Sequence, residues 1–208
     1  MITLSPNRIA SCIAERAVIH SAIERKKKDY LRYGLEWALI GGYQVGITLL
    51  ISTFLGIFLE SLVSLLTIAI LRVFAGGAHF QNVYKCLLAS ITLNIFIAST
   101  SLLVHNYLGD IRVVILISAP IFVLLTWKFC PSLYSKMNTF SAVYVRKLKI
   151  ISTLIVSIIL IIAFLAPAIY TIVILLSLAY QTLTVTTIGA YLISKMDSLG
   201  KGGLKNVN

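Results

Sequence analysis

Residues 148–194 read LKIISTLIVSIILIIAFLAPAIYTIVILLSLAYQTLTVTTIGAYLIS. From Ile150 onward the stretch holds no Asp, Glu, Lys or Arg, and Pro167 divides it. A helix needs about 20 apolar residues to cross a hydrocarbon layer about 30 Å thick. Each side of Pro167 meets that length, so Leu148–Ala166 and Ile169–Ser194 are expected to span a membrane as paired helices. Apolar stretches of similar length, each with no more than two charged residues, recur upstream, at about Tyr33–Leu55, Ile57–Ala75, Lys85–Leu108 and Ile111–Phe129. The expected fold is all-α and polytopic: six transmembrane helices in three hairpins.

Composition agrees. Of 208 residues, 59% are hydrophobic and 12% charged, and the mean hydropathy is +0.96. Soluble domains hold about 45–50% apolar and about 25% charged residues, so a single water-facing core is excluded. Ser5-Pro6 pairs a helix cap with proline at the first helical position. The following stretch to Lys28 mixes apolar and charged residues, which predicts an N-terminal helix lying at the interface. Its closing run Arg25-Lys26-Lys27-Lys28 suits anionic lipid heads. There is no cleavable signal-peptide pattern, so the first span is expected to serve as its own signal. The chain divides into residues 1–32, a basic interfacial helix; 33–194, the six-span domain; and 195–208, a basic tail.

Basic residues orient the spans. Seven of the 18 Lys and Arg precede the first span, and Arg72 and Lys85 flank the joint between spans two and three. Lys128, Lys136, Arg146, Lys147 and Lys149 flank the joint between spans four and five, and Lys195, Lys201 and Lys205 follow the sixth. Only Arg112 falls on the other side. Positive charge collects in cytoplasmic loops, so both termini and both long joints are expected in the cytoplasm. The net charge of +11 is thereby explained without nucleic acid as a partner. Gly42-x-x-x-Gly46 is a weak helix-packing signal.

The joint Leu71-Arg-Val-Phe-Ala-Gly-Gly-Ala-His-Phe-Gln-Asn-Val-Tyr-Lys-Cys86 carries the chemistry. A thiol at a helix N-terminus beside a lysine is biased toward thiolate, and a histidine within reach can take its proton. On one straight helix the Cα atoms of His79 and Cys86 would stand about 10 Å apart. The pair therefore needs the chain to bend at Gly76-Gly77. The plainer alternative is a small packed cysteine and a solvated histidine. The remaining cysteines, Cys12 and Cys130, and His20 and His105 look incidental. Two ligands without neighbours complete no zinc site, and no cofactor is expected.

The segment Arg72…Gly76-Gly77-Ala78-His79…Cys86 resembles the signature of the accessory gene regulator B (AgrB) family. Tyr33-Gly34-Leu35-Glu36 at the first span, the basic N-terminal helix, the six spans and the length extend the likeness. It departs in the joint Pro131–Lys149, whose basic residues are spread rather than consecutive. The resemblance implies a membrane cysteine endopeptidase of Gram-positive bacteria that processes a quorum-sensing pro-peptide at the cytoplasmic face of the cell membrane. Cys86 would be the nucleophile and His79 the base. The substrate would have an amphipathic leader, a central segment with a cysteine, and an acidic tail. Tail release through a thioester would precede thiolactone closure. A homodimer is implied as well. Arg72 either binds a substrate carboxylate or snorkels to the interface. Glu36 either orients His79 or pairs with Arg32, and Gln81 and Asn82 are candidate oxyanion donors. A non-enzymatic carrier or peptide exporter is the alternative reading.

Overall fold

A computed structural model describes residues 6–20, 28–78, 80, 82–107, 111–132 and 141–199. They form α1 (Pro6–His20), α2 (Lys28–Phe54), α3 (Phe58–Ala75), α4 (Val83–His105), α5 (Ile111–Phe129), α6 (Ala142–Leu165), α7 (Ala168–Val185) and α8 (Thr187–Leu199). Six of these, α2 to α7, are long and apolar enough to cross a membrane. The chain is a multi-pass membrane protein. Its flanks carry large exposed apolar side chains such as Phe54, Val73, Leu103 and Leu165, as lipid-facing surfaces require.

The chain divides into two compact units, residues 1–50 and 51–208. In the first, Ala10 and Ala14 of α1 are fully buried, and Lys28 Nζ pairs with Glu15 Oε1 at 2.9 Å. Arg32 pairs with Asp29 at 3.8 Å. Both are exposed pairs, each worth no more than about 1 kcal/mol.

In the second unit α7 is the hub. Half of its membrane-length window is buried, and it packs against α3, α4, α5, α6 and α8. Its Ile172, Ile174, Leu175 and Leu178 meet Leu71 of α3, Ile111 and Ile115 of α5, and Val156, Ile159, Leu160 and Ala163 of α6. Packing does not simply follow the order of the helices. The tightest pairs are α3 with α7 and α5 with α6, whereas α4 and α5 share little contact among the described residues. A buried polar chain ties α3, α4 and α7 together. Ser177 Oγ donates to Ser64 Oγ at 3.0 Å. With the Asn94 amide turned to suit its neighbours, Ser64 Oγ donates to Asn94 Oδ1 at 3.0 Å and Asn94 Nδ2 donates to the Ser61 carbonyl at 3.3 Å. Such groups act as interhelical glue where water is absent.

Three boundaries differ from expectation. Helix α2 begins at Lys28 rather than near Tyr33. Helix α6 begins at Ala142, because Ser141 caps it by accepting from Tyr144 N at 3.3 Å. The basic residues before the fifth apolar stretch are therefore helical. The sixth span does not run on to Ser194. Thr186 adopts an extended conformation (φ −74°, ψ 157°), its hydroxyl donates to the Leu183 carbonyl at 2.7 Å and accepts from Gly189 N at 3.2 Å. The turn starts α8 as a separate helix. Hydropathy alone does not register such a break, since both sides of it are apolar.

Candidate functional site

The joint after α3 is where the unit's elements converge. Arg72 stands in the last turn of α3, and its carbonyl accepts from Gly76 N at 3.2 Å. Gly76 (φ 73°) and Gly77 (φ 138°) lie in left-handed space, which glycine alone occupies without strain. A β-carbon at Gly76 would sit 2.8 Å from the Ser132 carbonyl oxygen, and one at Gly77 2.9 Å from Thr184 Oγ1. The two glycines let the chain turn and let other segments approach its backbone.

Those segments hold the joint in place. Ser132 N, beyond α5, donates to the Ala75 carbonyl at 2.9 Å. Gln181 Nε2 donates to the Gly76 carbonyl at 2.7 Å, and Ala78 N to the Thr184 carbonyl at 2.9 Å. Arg72 Nη2 reaches the Ala78 carbonyl at 3.5 Å. Backbone polar groups withdrawn from water need partners, and here α7 and the stretch after α5 supply them. The ends of α3, α5 and α7 and the start of α4 thus share one end of the unit.

His79 and Gln81 lie outside the described residues. The helix carrying Cys86 begins at Val83, with Asn82 as its cap: Asn82 Oδ1 accepts from Tyr84 N at 2.9 Å and Lys85 N at 3.3 Å. Cys86 N donates to the Asn82 carbonyl at 3.0 Å, which sets the half-buried Cys86 one turn into α4. Capping occupies the Asn82 oxygen and leaves its NH2 as the donor. Tyr180 of α7 hydrogen-bonds the Arg72 side chain and lies within electrostatic reach of Cys86. Arg72 at the end of α3, Tyr180 on α7 and Cys86 at the start of α4 therefore lie at the same end of the unit. The Arg72 guanidinium has five donors, more than these contacts use.

Glu36 is half-buried on α2 in the first unit, and the carboxylate that pairs with Arg32 is that of Asp29. The Lys85 ammonium is drawn to α8, where it donates to the Asp197 carbonyl at 3.3 Å. Of the other cysteines, Cys12 is exposed and Cys130 buried. Burial pushes the Cys130 thiol up to about 12, against a smaller lowering by Lys149, so it stays protonated and unreactive.

Tyr180, Gln181 and Thr184 were not recognised from the sequence, where they read as ordinary members of an apolar span. Gln181 carried the one usable signal: an amide within a membrane helix needs partners.

The model of the accessory gene regulator B family matches residues 7–185. The match runs from α1 to the last residue of α7 and takes in the whole joint from Arg72 to Cys86; α8 lies beyond it. No curated protein and no solved structure matches the chain. A match over so much of the sequence shows that the chain belongs to the accessory gene regulator B family, which implies a part in quorum-sensing peptide processing at a membrane.

Proposed function

We propose that the chain is a membrane-embedded cysteine endopeptidase acting on a quorum-sensing pro-peptide, with Cys86 as nucleophile and His79 as base. The observation that supports this reading is the placement of Cys86, Arg72 and Tyr180 at one end of the helical unit, inside the segment that the family model covers. His79 takes the Cys86 proton. The thiolate attacks the carbonyl before the acidic tail, the C–N bond breaks, and His79 returns the proton to the leaving amine. The leader and signal segment remain on Cys86 as a thioester. The peptide's own cysteine thiol then attacks that thioester, forming the ring C–S bond while the Cys86 thiol regains a proton. This exchange trades one thioester for another and is nearly balanced. Attack on a free carboxylate would need an external energy source.

The proposed donors to the developing oxyanion are the Tyr180 hydroxyl, the Asn82 amide and Gln81. Arg72 suits a substrate carboxylate, since guanidinium pairs with carboxylate through parallel hydrogen bonds. Gly76 and Gly77 shape the approach. The basic flanks favour an acidic tail at the cytoplasmic face of the cell membrane, and the working form is a homodimer.

Co-expression with the pro-peptide tests the chemistry. Cys86→Ala and His79→Ala are expected to lose tail release by at least 100-fold while the chains still insert. The peptide–enzyme thioester, released by hydroxylamine, forms only with Cys86 present. Full processing by Cys86→Ala would sink the reading and leave a carrier or exporter role.

A further inference from the structure

Two charges in the second unit have the wrong sign for their own helices. Lys85 is a cation in the first turn of α4, and Asp197 is an anion in the last turn of α8. A helix macrodipole disfavours a cation at the N-terminus and an anion at the C-terminus. Each side chain has the right sign only for the other helix. The Lys85 ammonium lies 3.9 Å from Asp197 Oδ1 and donates at 3.3 Å to the Asp197 carbonyl, one of the last-turn acceptors that a helix leaves unfilled. The Asp197 side chain is only 7% exposed, against 37% for Lys85, and Oδ1 has no hydrogen-bond donor of its own. A carboxylate so enclosed is expensive unless a cation stands by it. Lys85 is also the residue before Cys86. The turn at Thr186, where α8 begins, leaves no room for a β-carbon at Gly189 against the Leu183 carbonyl. All of α8 lies past the stretch that the family model matches.

We propose that Asp197 is a positioning residue, and that α8 is a brace which holds Lys85, and through it the first turn of α4, so that Cys86 presents its thiol at a fixed angle to the joint. The proposal rests on the reading of Cys86 as nucleophile. Without the brace the Lys85 side chain is released, the turn frays, and the thiol samples positions that do not face the scissile carbonyl. Binding of the pro-peptide does not use this contact, so the effect falls on turnover.

The test uses full-length chains in membrane vesicles, with Cys12→Ser and Cys130→Ser so that Cys86 is the single thiol. Four chains are compared: the parent, Asp197→Ala, Lys85→Asp, and the exchanged pair Lys85→Asp with Asp197→Lys. Asp197→Ala and Lys85→Asp are expected to lower kcat for tail release about tenfold with KM within twofold, and to raise the rate of Cys86 modification by N-ethylmaleimide at least threefold. The exchanged pair gives each helix a charge suited to its own dipole and keeps the ion pair between the side chains. This offsets the lost hydrogen bond to the residue-197 carbonyl, so both quantities should return to within twofold of the parent. Singles that leave kcat and modification unchanged overturn the proposal, and so does an exchanged pair that stays defective. Maleimide modification does not depend on catalysis. Were Cys86 not the nucleophile, the modification rates would still follow Asp197 while tail release would survive Cys86→Ala.

Discussion

At the residue scale, the three cysteines differ through their surroundings rather than their sequence context. Cys86 stands half-buried one turn into a helix, Cys12 is exposed, and Cys130 is enclosed after α5. Burial lifts the Cys130 thiol from 9.0 to about 12. Iodoacetamide at pH 8 is therefore expected to label Cys12 and leave Cys130 untouched until the chain is denatured, as peptide mapping would show; prompt labelling of Cys130 would contradict its burial. The linkage has a definite sign. The folded thiol keeps a proton between about pH 9 and 12 that the unfolded thiol has released. Its contribution to stability is complete below that window and lost as pH rises through it. The glycines of the joint were legible as a bend, because no other residue gives the chain such freedom. What passes so close to them was not legible: Ser132 and Thr184 arrive from elements far along the chain.

At the element scale, hydropathy located the six spans, but α2 and α6 begin five and six residues before their apolar stretches, and the last apolar stretch holds two helices. Thr184, Val185, Thr186 and Thr187 form a β-branched run that weakens helix continuity, and the Thr186 hydroxyl completes the break by capping α8. A hydropathy window averages over such local chemistry. The same averaging conceals Asn94, Ser64 and Ser177, whose small polar groups sit deep in apolar helices. They join α3, α4 and α7. Replacing Asn94 with Ala should destabilise the unit by about 0.6–2 kcal/mol, the range of interhelical hydrogen bonds in membranes. Thermal unfolding in detergent measures it, and an unchanged midpoint would show that the polar chain contributes nothing.

At the scale of the whole molecule, the distribution of Lys and Arg predicts that Tyr107, after α4, faces outward and that the first turn of α6 faces the cytoplasm. In a cysteine-free background, Tyr107→Cys should react with a membrane-impermeant maleimide on intact cells, and Val143→Cys only in inverted vesicles. The reverse pattern would overturn the orientation. Within the second unit, the hydrogen bonds from Ser132 N to the Ala75 carbonyl and from Ala78 N to the Thr184 carbonyl bring together helix ends that the charge count assigns to one side. These bonds also set an order of events during synthesis. Helices α3 and α4 enter the membrane as neighbours, yet the carbonyl of Gly76 waits for an amide 105 residues downstream. Until α7 arrives, Arg72 lacks Tyr180, and the joint lacks two of the backbone partners that shape it. A nascent chain stalled before α7 carries Cys86 in the bilayer without a formed site. On the proposed reading of Cys86, the thiol gains its working surroundings only once most of the bundle has assembled, so a half-made chain is expected to be inert toward peptides.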